Sequence, residues 1–317
     1  MNQPYVSVVI CTRNRRDDLD RCLKALEKME SYDYEVIVVD NSTDSGTIAS
    51  NKKACSKIGA QYIYEPRRGL CIAKNSGIME TRGRIVAFTD DDCIADKSWL
   101  RNLTGNFSDP KIACCTGRTL TYLNDPLSLT FEKYFGFDRG PVRRTFGSRS
   151  LKLDFSVLVK AAPYMRKRRI TSVAPAPFSV GLGNNMAFRR ETFDEVGYFD
   201  ERLGPGTLSK AGEELDMFYR VLKAEKLIVY EPRAIIFHRH RQTEGELVNA
   251  VYTCGTGVAA FLKKQMKKGD FQLLLYYVGR IINLLVASAS YRQKGEKDIA
   301  YLSSMELKGW IDGLFKY

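Results

Sequence analysis

Short apolar runs alternate with helix-spaced apolar positions through the first third of the chain. Val6-Ser7-Val8-Val9-Ile10 is nearly continuous and β-branched, as expected of a strand buried on both faces. Leu19, Cys22, Leu23, Leu26 and Met29 then recur at helical spacing, with Asp17 and Asp18 near the start, where a helix dipole favours anions. Glu35-Val36-Ile37-Val38-Val39 predicts a second strand, and the stretch up to Gly59 a helix. Gln61-Tyr62-Ile63-Tyr64 predicts a short strand. Leu70 to Thr81 predicts a helix closed by Gly83, and Arg84 to Thr89 a fourth strand. This alternation predicts an α/β unit with a largely parallel sheet. The strands end in Thr12-Arg13, Asp40-Asn41 and Asp90-Asp91-Asp92. Right-handed crossovers gather these polar ends on one edge, where open α/β sheets bind ligands.

Residues 124–180 are broken by Pro126, Pro141, Pro163, Pro175 and Pro177 and read as an insertion, a flap or acceptor-binding region. The pattern sharpens again at Gly181-Leu182-Gly183-Asn184-Asn185-Met186-Ala187-Phe188-Arg189-Arg190. Phe199-Asp200-Glu201, Gly204-Pro205-Gly206 and Gly212-Glu213-Glu214-Leu215-Asp216-Met217 follow, the last opening a helix. The only two histidines, His238 and His240, follow the strand-like Ile235-Ile236-Phe237 and share a face if extended. The apolar run from Phe271 to Ala287 is nearly long enough to span a bilayer, which takes about 20 residues. Arg280 and Asn283 in its middle favour a helix that packs on the protein or lies on a membrane surface over one that spans it, with Lys263, Lys264, Lys267 and Lys268 facing acidic lipid.

Charge changes the picture locally. The chain carries +12 overall, and residues 139–170 hold ten basic side chains against one acid, Asp154. Such a block seeks an anionic partner: nucleic acid, a membrane surface or an anionic substrate. Few aromatics interleave it beyond Phe146, Phe155 and Tyr164, and no nucleic-acid motif accompanies it, so nucleic acid is not expected as a partner. The eight cysteines show no CxxC spacing and sit in apolar contexts, which points to free thiols in a reducing cytoplasm. Met1-Asn2-Gln3-Pro4 leads straight into a strand pattern rather than a secretory leader.

The chemistry concentrates where the fourth strand ends. In extended chain Asp90 and Asp92 would point one way and Asp91 the other. Three adjacent carboxylates repel, and a divalent cation with a taste for oxygen ligands, Mg²⁺ or Mn²⁺, would relieve them. Asp40 can accept from a base N–H, and Arg13, Arg15, Arg67, Arg68 and Lys74 can offset phosphate charge. No GxGxxG or GxxxxGK[ST] follows the first strand, which excludes the common dinucleotide and P-loop arrangements.

Taken together, these pieces resemble the inverting family 2 glycosyltransferases of GT-A fold. The resemblance runs from Val6 through Arg15, Val36 through Ser42, Arg68-Gly69 with Ala73-Lys74-Asn75-Ser76-Gly77-Ile78, and Phe88-Thr89-Asp90-Asp91-Asp92. It continues through Gly183 to Arg190, Gly197-Tyr198-Phe199-Asp200-Glu201, Gly212-Glu213-Glu214-Leu215-Asp216 and His238, covering roughly residues 5–241. It implies a nucleotide-sugar donor, UDP-linked by the family's habit, and a saccharide or lipid-linked acceptor. It also implies a divalent metal, Mn²⁺ or Mg²⁺, on a DxD motif.

By position, Thr12, Arg13 and Asp40 resemble contacts to base and ribose, and Asp90 a sugar or ribose contact. Arg15, Arg68, Lys74, Asn75 and Asp91 complete the donor side. Asp92 and His238 resemble metal ligands. Glu214 resembles the catalytic base, though its neighbour Glu213 is hard to separate from it, because the family usually has Glu-Asp here. Gly183, Asn184, Asn185 and Asp216 fall on the acceptor side. The implied architecture is a GT-A catalytic domain over residues 1–241, with a nucleotide-sugar half at 1–115 and an acceptor half at 116–241. A helical region follows at 242–317. The implied setting is cytoplasmic, with a peripheral position at the inner membrane face left open. A nucleotide-sugar-binding protein without turnover is the rival reading, and a basic nucleic-acid binder a weaker one.

Overall fold

Nine strands form one mixed sheet with helices on both faces; the computed structural model describes residues 5–30, 33–123, 125–151, 177–240 and 242–317. Strands β1 (Val6–Thr12), β2 (Tyr34–Asp40), β3 (Gln61–Tyr64) and β4 (Ile85–Asp90) run parallel in the order β3-β2-β1-β4. They are linked by α1 (Arg16–Leu26), α2 (Ser45–Lys57) and α3 (Leu70–Met79). Alternation along β1 divides the core. Val9 faces a layer containing Ala73 and Ile78 of α3, whereas Val8 and Ile10 face Leu19, Leu23 and Leu26 of α1. The three parallel pairings bring Thr12, Asp40 and Asp90 to one rim, as the pattern predicts.

The second half is mixed. It contains β5 (Cys93–Ala95), α4 (Trp99–Thr104), β6 (Ile112–Thr121), α5 (Pro126–Phe135), β7 (Arg144–Phe146), β8 (Asn185–Arg189), α6 (Glu191–Val196), α7 (Glu213–Lys223) and β9 (Leu227–His238). Strand β8 starts at the polar rim beside Thr89, so it must run back antiparallel between β4 and β6. The largely parallel expectation therefore describes β3-β2-β1-β4 and the β6–β9 pair. Strands β5, β7 and β8 run against their neighbours.

The reading of residues 124–180 as an insertion needs correction over its first part. Asp125 caps α5, accepting from the backbone N–H of Leu127 and Ser128, and Pro126 occupies the first turn, where a missing N–H costs nothing. Strand β7 joins the sheet on β9, and Arg144 stacks on Tyr230 with its guanidinium 4.7 Å from the ring centre. Residues 152–176, with most of the basic block and Phe155 and Tyr164, lie outside the described residues.

Three helices complete the chain: α8 (Glu244–Lys267), opened by a capping box between Thr243 and Glu246, α9 (Gln272–Gln293) and α10 (Lys297–Lys316). Helices α8 and α10 meet backbone to backbone. A Cβ on Gly309 would run into the Tyr252 carbonyl, and one on Gly313 into that of Thr256. Helix α9 buries Leu273, Tyr277 and Leu284, and Arg280 turns inward to Glu306 at 2.7 Å. Its other face exposes Leu274, Leu275, Val278, Ile282, Leu285 and Val286. By length and composition it is the one helix among the described residues that could cross a membrane.

Gly309→Val should overpack the α8–α10 crossing. We expect a loss of about 1–3 kcal/mol, seen as a fall of several degrees in thermal midpoint. An unchanged midpoint would mean that the helices separate without cost.

Candidate active site

Strand β4 delivers Asp90 to the rim, and the chain turns at Asp91 and Asp92 before β5. That turn overrides the alternation expected of extended chain. Asp91 and Asp92 converge on one guanidinium: Arg15 Nη1 lies 3.0 Å from Asp91 Oδ1 and 2.9 Å from Asp92 Oδ2. Thr12 donates its hydroxyl to Asp91 Oδ2 at 2.8 Å. Burial nevertheless pushes the Asp91 carboxyl up to about 7; Arg15 pulls it back down and Asp92 adds to the rise. Asp90 is raised by the same burial and by Asp92. Arg15, expected on the donor, is thus a counter-ion of the acidic turn.

Register builds the other wall. Strand β5 runs antiparallel to β9 and pairs Cys93 with His238, which brings the imidazole over the preceding residue. His238 Nε2 lies 3.4 Å from Asp92 Oδ1. One donor atom each from Asp92, Cys93 and His238 falls within 4.8 Å of the others. Burial holds the Cys93 thiol far above its ordinary range, with Asp92 and Asp90 adding to the rise. A carboxylate oxygen beside an imidazole nitrogen suits Mn²⁺, and oxygen-rich completion by a diphosphate and water would suit it further.

The paired glutamates come from the start of α7. Gly212 precedes them with φ +94°, and a Cβ there would lie 2.5 Å from the Gly257 carbonyl oxygen of α8. Only glycine permits that turn and that approach. The two glutamates then part company. Glu213 is buried and paired with Lys74 of α3 at 3.4 Å. Glu214 is half-buried, and a Cβ on Gly183 would sit 3.3 Å from its own Cβ, so the glycine keeps room in front of it. Burial pushes the Glu214 carboxyl up to about 8, Glu213 adds to the rise, and Lys74 opposes it. The helix N-terminus favours ionisation by only about 0.3–1 kcal/mol, and burial wins. Burial alone would push the Lys74 ammonium down; Glu213 and Asp90 reverse it, so Lys74 stays charged. Fields link the two walls: Asp90 feels Asp92, Lys74, His238 and Glu213, and Glu214 feels Glu213, Lys74 and Asp90.

Other expected site residues divide into rim and frame. Arg13 and Arg68 are exposed at the rim. Asp40 is fully buried and accepts from Ser42 N, Asn51 Nδ2 and Tyr62 OH, so its lone pairs serve the fold. Asn75 clamps the Phe199 backbone in both directions and reaches Glu201. Asn184 accepts from Thr119 at 3.1 Å. Two acceptor-side expectations give way. Asn185 is buried, accepting from Trp99 Nε1 and donating to the Arg118 and Ala234 carbonyls that hold β6 and β9. Asp216 is 0 % exposed and holds Arg220 at 2.9 Å, Lys264 at 2.6 Å and Gln265 at 2.7 Å. Lys264, read in the sequence as lipid-facing, is instead buried between Asp216 and Asp200. Buried salt partners leave no periodic trace, and nothing in the sequence separates Lys264 from the exposed Lys267 and Lys268.

Comparison with known proteins identifies the family and the fold. The model of glycosyl transferase family 2 matches residues 7–197. The glycosyltransferase AglE of Haloferax volcanii is 25% identical over 234 residues, 70% of this chain and 73% of its own. The pre-mycofactocin glycosyltransferase of Mycobacterium tuberculosis is 25% identical over 237 residues, 74% of this chain but only 43% of that protein. Among solved structures, the mannosyltransferase PcManGT of Pyrobaculum calidifontis, in complex with GDP-Man and Mn²⁺, superimposes with a TM-score of 0.67 at 14% identity. The match covers 100% of this chain and 88% of that one. At that identity the likeness establishes a shared fold.

Asp216→Ala would leave Lys264 buried with only Asp200 to meet it. Breaking such a network should cost about 3–5 kcal/mol, measured by denaturant unfolding. A change below about 1 kcal/mol would show that the cluster is solvated.

Proposed function

The chain belongs to glycosyl transferase family 2, and from that premise we propose that it moves a sugar from a nucleoside-diphosphate donor to a hydroxyl of a saccharide or lipid-linked acceptor, with inversion. The observation that carries the proposal is the electrostatic link from Asp92, 3.4 Å from His238, through Asp90 and Lys74 to Glu213 and Glu214. The unit responsible is residues 1–241, with the donor held by 1–115 and the acceptor by 116–241. A UDP-sugar is the first donor to try. The GDP-Man bound by the Pyrobaculum neighbour makes a GDP-sugar the second.

Each residue has a task in this reading. Arg13 and Arg68 meet the nucleotide and its phosphates, and Thr12 and Arg15 set the acidic turn. Asp92 and His238 would hold Mn²⁺ or Mg²⁺, which when bound neutralises charge gathering on the departing diphosphate. Glu214 takes the proton from the acceptor hydroxyl as its oxygen bonds to the anomeric carbon and the diphosphate leaves from the opposite face. Lys74 is paired with Glu213 and occupies it, which leaves Glu214 as the base. Gly183 leaves space for the acceptor beside it. Base catalysis of this kind contributes about 10²–10⁴-fold.

The exposed apolar face of α9, with Lys267 and Lys268 before it and Arg292 and Lys294 after it, supports a peripheral seat on an anionic membrane. The eight free cysteines fit a reducing, cytoplasmic face.

The deciding experiment is nucleotide release from a panel of UDP- and GDP-sugars, with Mn²⁺ or with chelator, and with acceptor present. Release that needs metal and acceptor supports transfer. Donor binding without release from any sugar would favour a binding protein. Asp92→Ala should abolish metal-dependent donor affinity, read by calorimetry. Glu214→Gln should keep donor binding and reduce transfer by about 10²–10⁴-fold.

Because Glu214 must be ionised to act, transfer should rise about tenfold per pH unit and level off near pH 8. Lys74→Met removes a cation that lowers the Glu214 pKa, so the same limb should move to higher pH. A flat profile between pH 6 and 8 would remove Glu214 from that role.

A further inference from the structure

Behind His238 runs a chain of groups that the proposed transfer does not use. His238 Nδ1 lies 2.9 Å from His240 Nδ1. On the far side of the second ring, His240 Nε2 lies 3.5 Å from Glu132 Oε2, and both atoms are buried and make no hydrogen bond. The His240 ring is fixed by apolar walls. It stacks on Phe131, with centroids 4.6 Å apart and planes at 27°, and meets Phe137 edge-on at 5.4 Å. Water is kept from the ring, so its nitrogens depend on the protein for partners.

Two nitrogens at 2.9 Å share one proton between them. For His238 to offer the Nε2 lone pair beside Asp92, its ring proton must sit on Nδ1 and be donated to His240 Nδ1. His240 must then carry its own proton on Nε2, where the Glu132 carboxylate 3.5 Å away favours it electrostatically. The opposite arrangement, with the proton on His240 Nδ1, forces the His238 proton to Nε2, where a cation would sit. Glu132 therefore selects between the two. Its other oxygen, Oε1, is anchored by the Asp138 backbone N–H at 2.8 Å, so the group is held in place by the loop after α5.

We infer that His240 and Glu132 are positioning residues that fix the tautomer and orientation of His238 for a divalent cation held with Asp92. The inference rests on the reading of His238 as a metal ligand. It assigns α5 a task in the site, although its sequence gives no such hint. Partners of this kind commonly contribute about 10–100-fold to metal affinity.

The test is Mn²⁺ titration of the full chain, following the free-ion paramagnetic resonance signal, with thermal unfolding in chelator as the measure of folding. Glu132→Gln keeps the shape and the acceptor for Asp138 but reverses the polarity facing His240. It should bind Mn²⁺ about 10–100-fold more weakly with little change in unfolding temperature, and His240→Ala should fall in the same range. In a His238→Ala background, Glu132→Gln should cost nothing further. Unchanged Mn²⁺ affinity in Glu132→Gln and His240→Ala, with His238→Ala weakened, would overturn the inference alone. Equal losses from Glu132→Gln with and without His238 would overturn it too, since the effect would not pass through that ring. Full affinity in His238→Ala would overturn the ligand reading itself, and the positioning role with it.

Discussion

Like charge crowded into a small, poorly hydrated volume is the constraint on this molecule. Asp90, Asp91, Asp92, Glu213 and Glu214 are linked by mutual repulsion. Carboxylates this close and this buried cannot all ionise unless cations are interleaved. The fold supplies two of them, Arg15 from the loop before α1 and Lys74 from inside α3, and sets the His238 imidazole beside Asp92 from the end of β9. The sheet's role is to bring these groups to one edge. Parallel pairing does this for the first half, and the β5–β9 register does it for the second.

The same crowding sorts acids that look equivalent in the sequence. Glu213 and Glu214 are adjacent, yet one is buried against an ammonium and the other is half-buried with its carboxyl pushed up to about 8 by burial. Asp216, one turn further on, is withdrawn completely into a network with Arg220 and Lys264 that ties α7 to α8. Three acids in one helical turn thus serve as counter-ion, candidate base and structural anchor. Their distance from water decides which is which.

Much of this was legible in the residues. Period and composition located the strands β1 to β4, the helices between them and the polar rim, because buried parallel strands and amphipathic helices leave regular traces. The order of short motifs pointed to the family. The sequence was silent where long-range pairing decides. Arg15 and Asp91 are 76 residues apart, and no periodicity shows that one will neutralise the other. Asp125-Pro126 reads as a break when prolines are counted and as a helix start when Pro is taken with its cap. Asn185 and Asp40 look like ligand contacts by chemistry, but their burial commits them to the frame. Glu132 and His240 are brought together only by the return of β9 past α5.

The glycine contacts between helices have an evolutionary reading. Gly212, at the mouth of α7, rests on Gly257 of α8, and α8 in turn lies flush against Gly309 and Gly313 of α10. The matched family region stops at residue 197, well short of these positions. The terminal helices are therefore not cargo that a lineage can exchange freely. A substitute tail would have to offer the same bare backbone beneath Gly212, the seat of the paired glutamates.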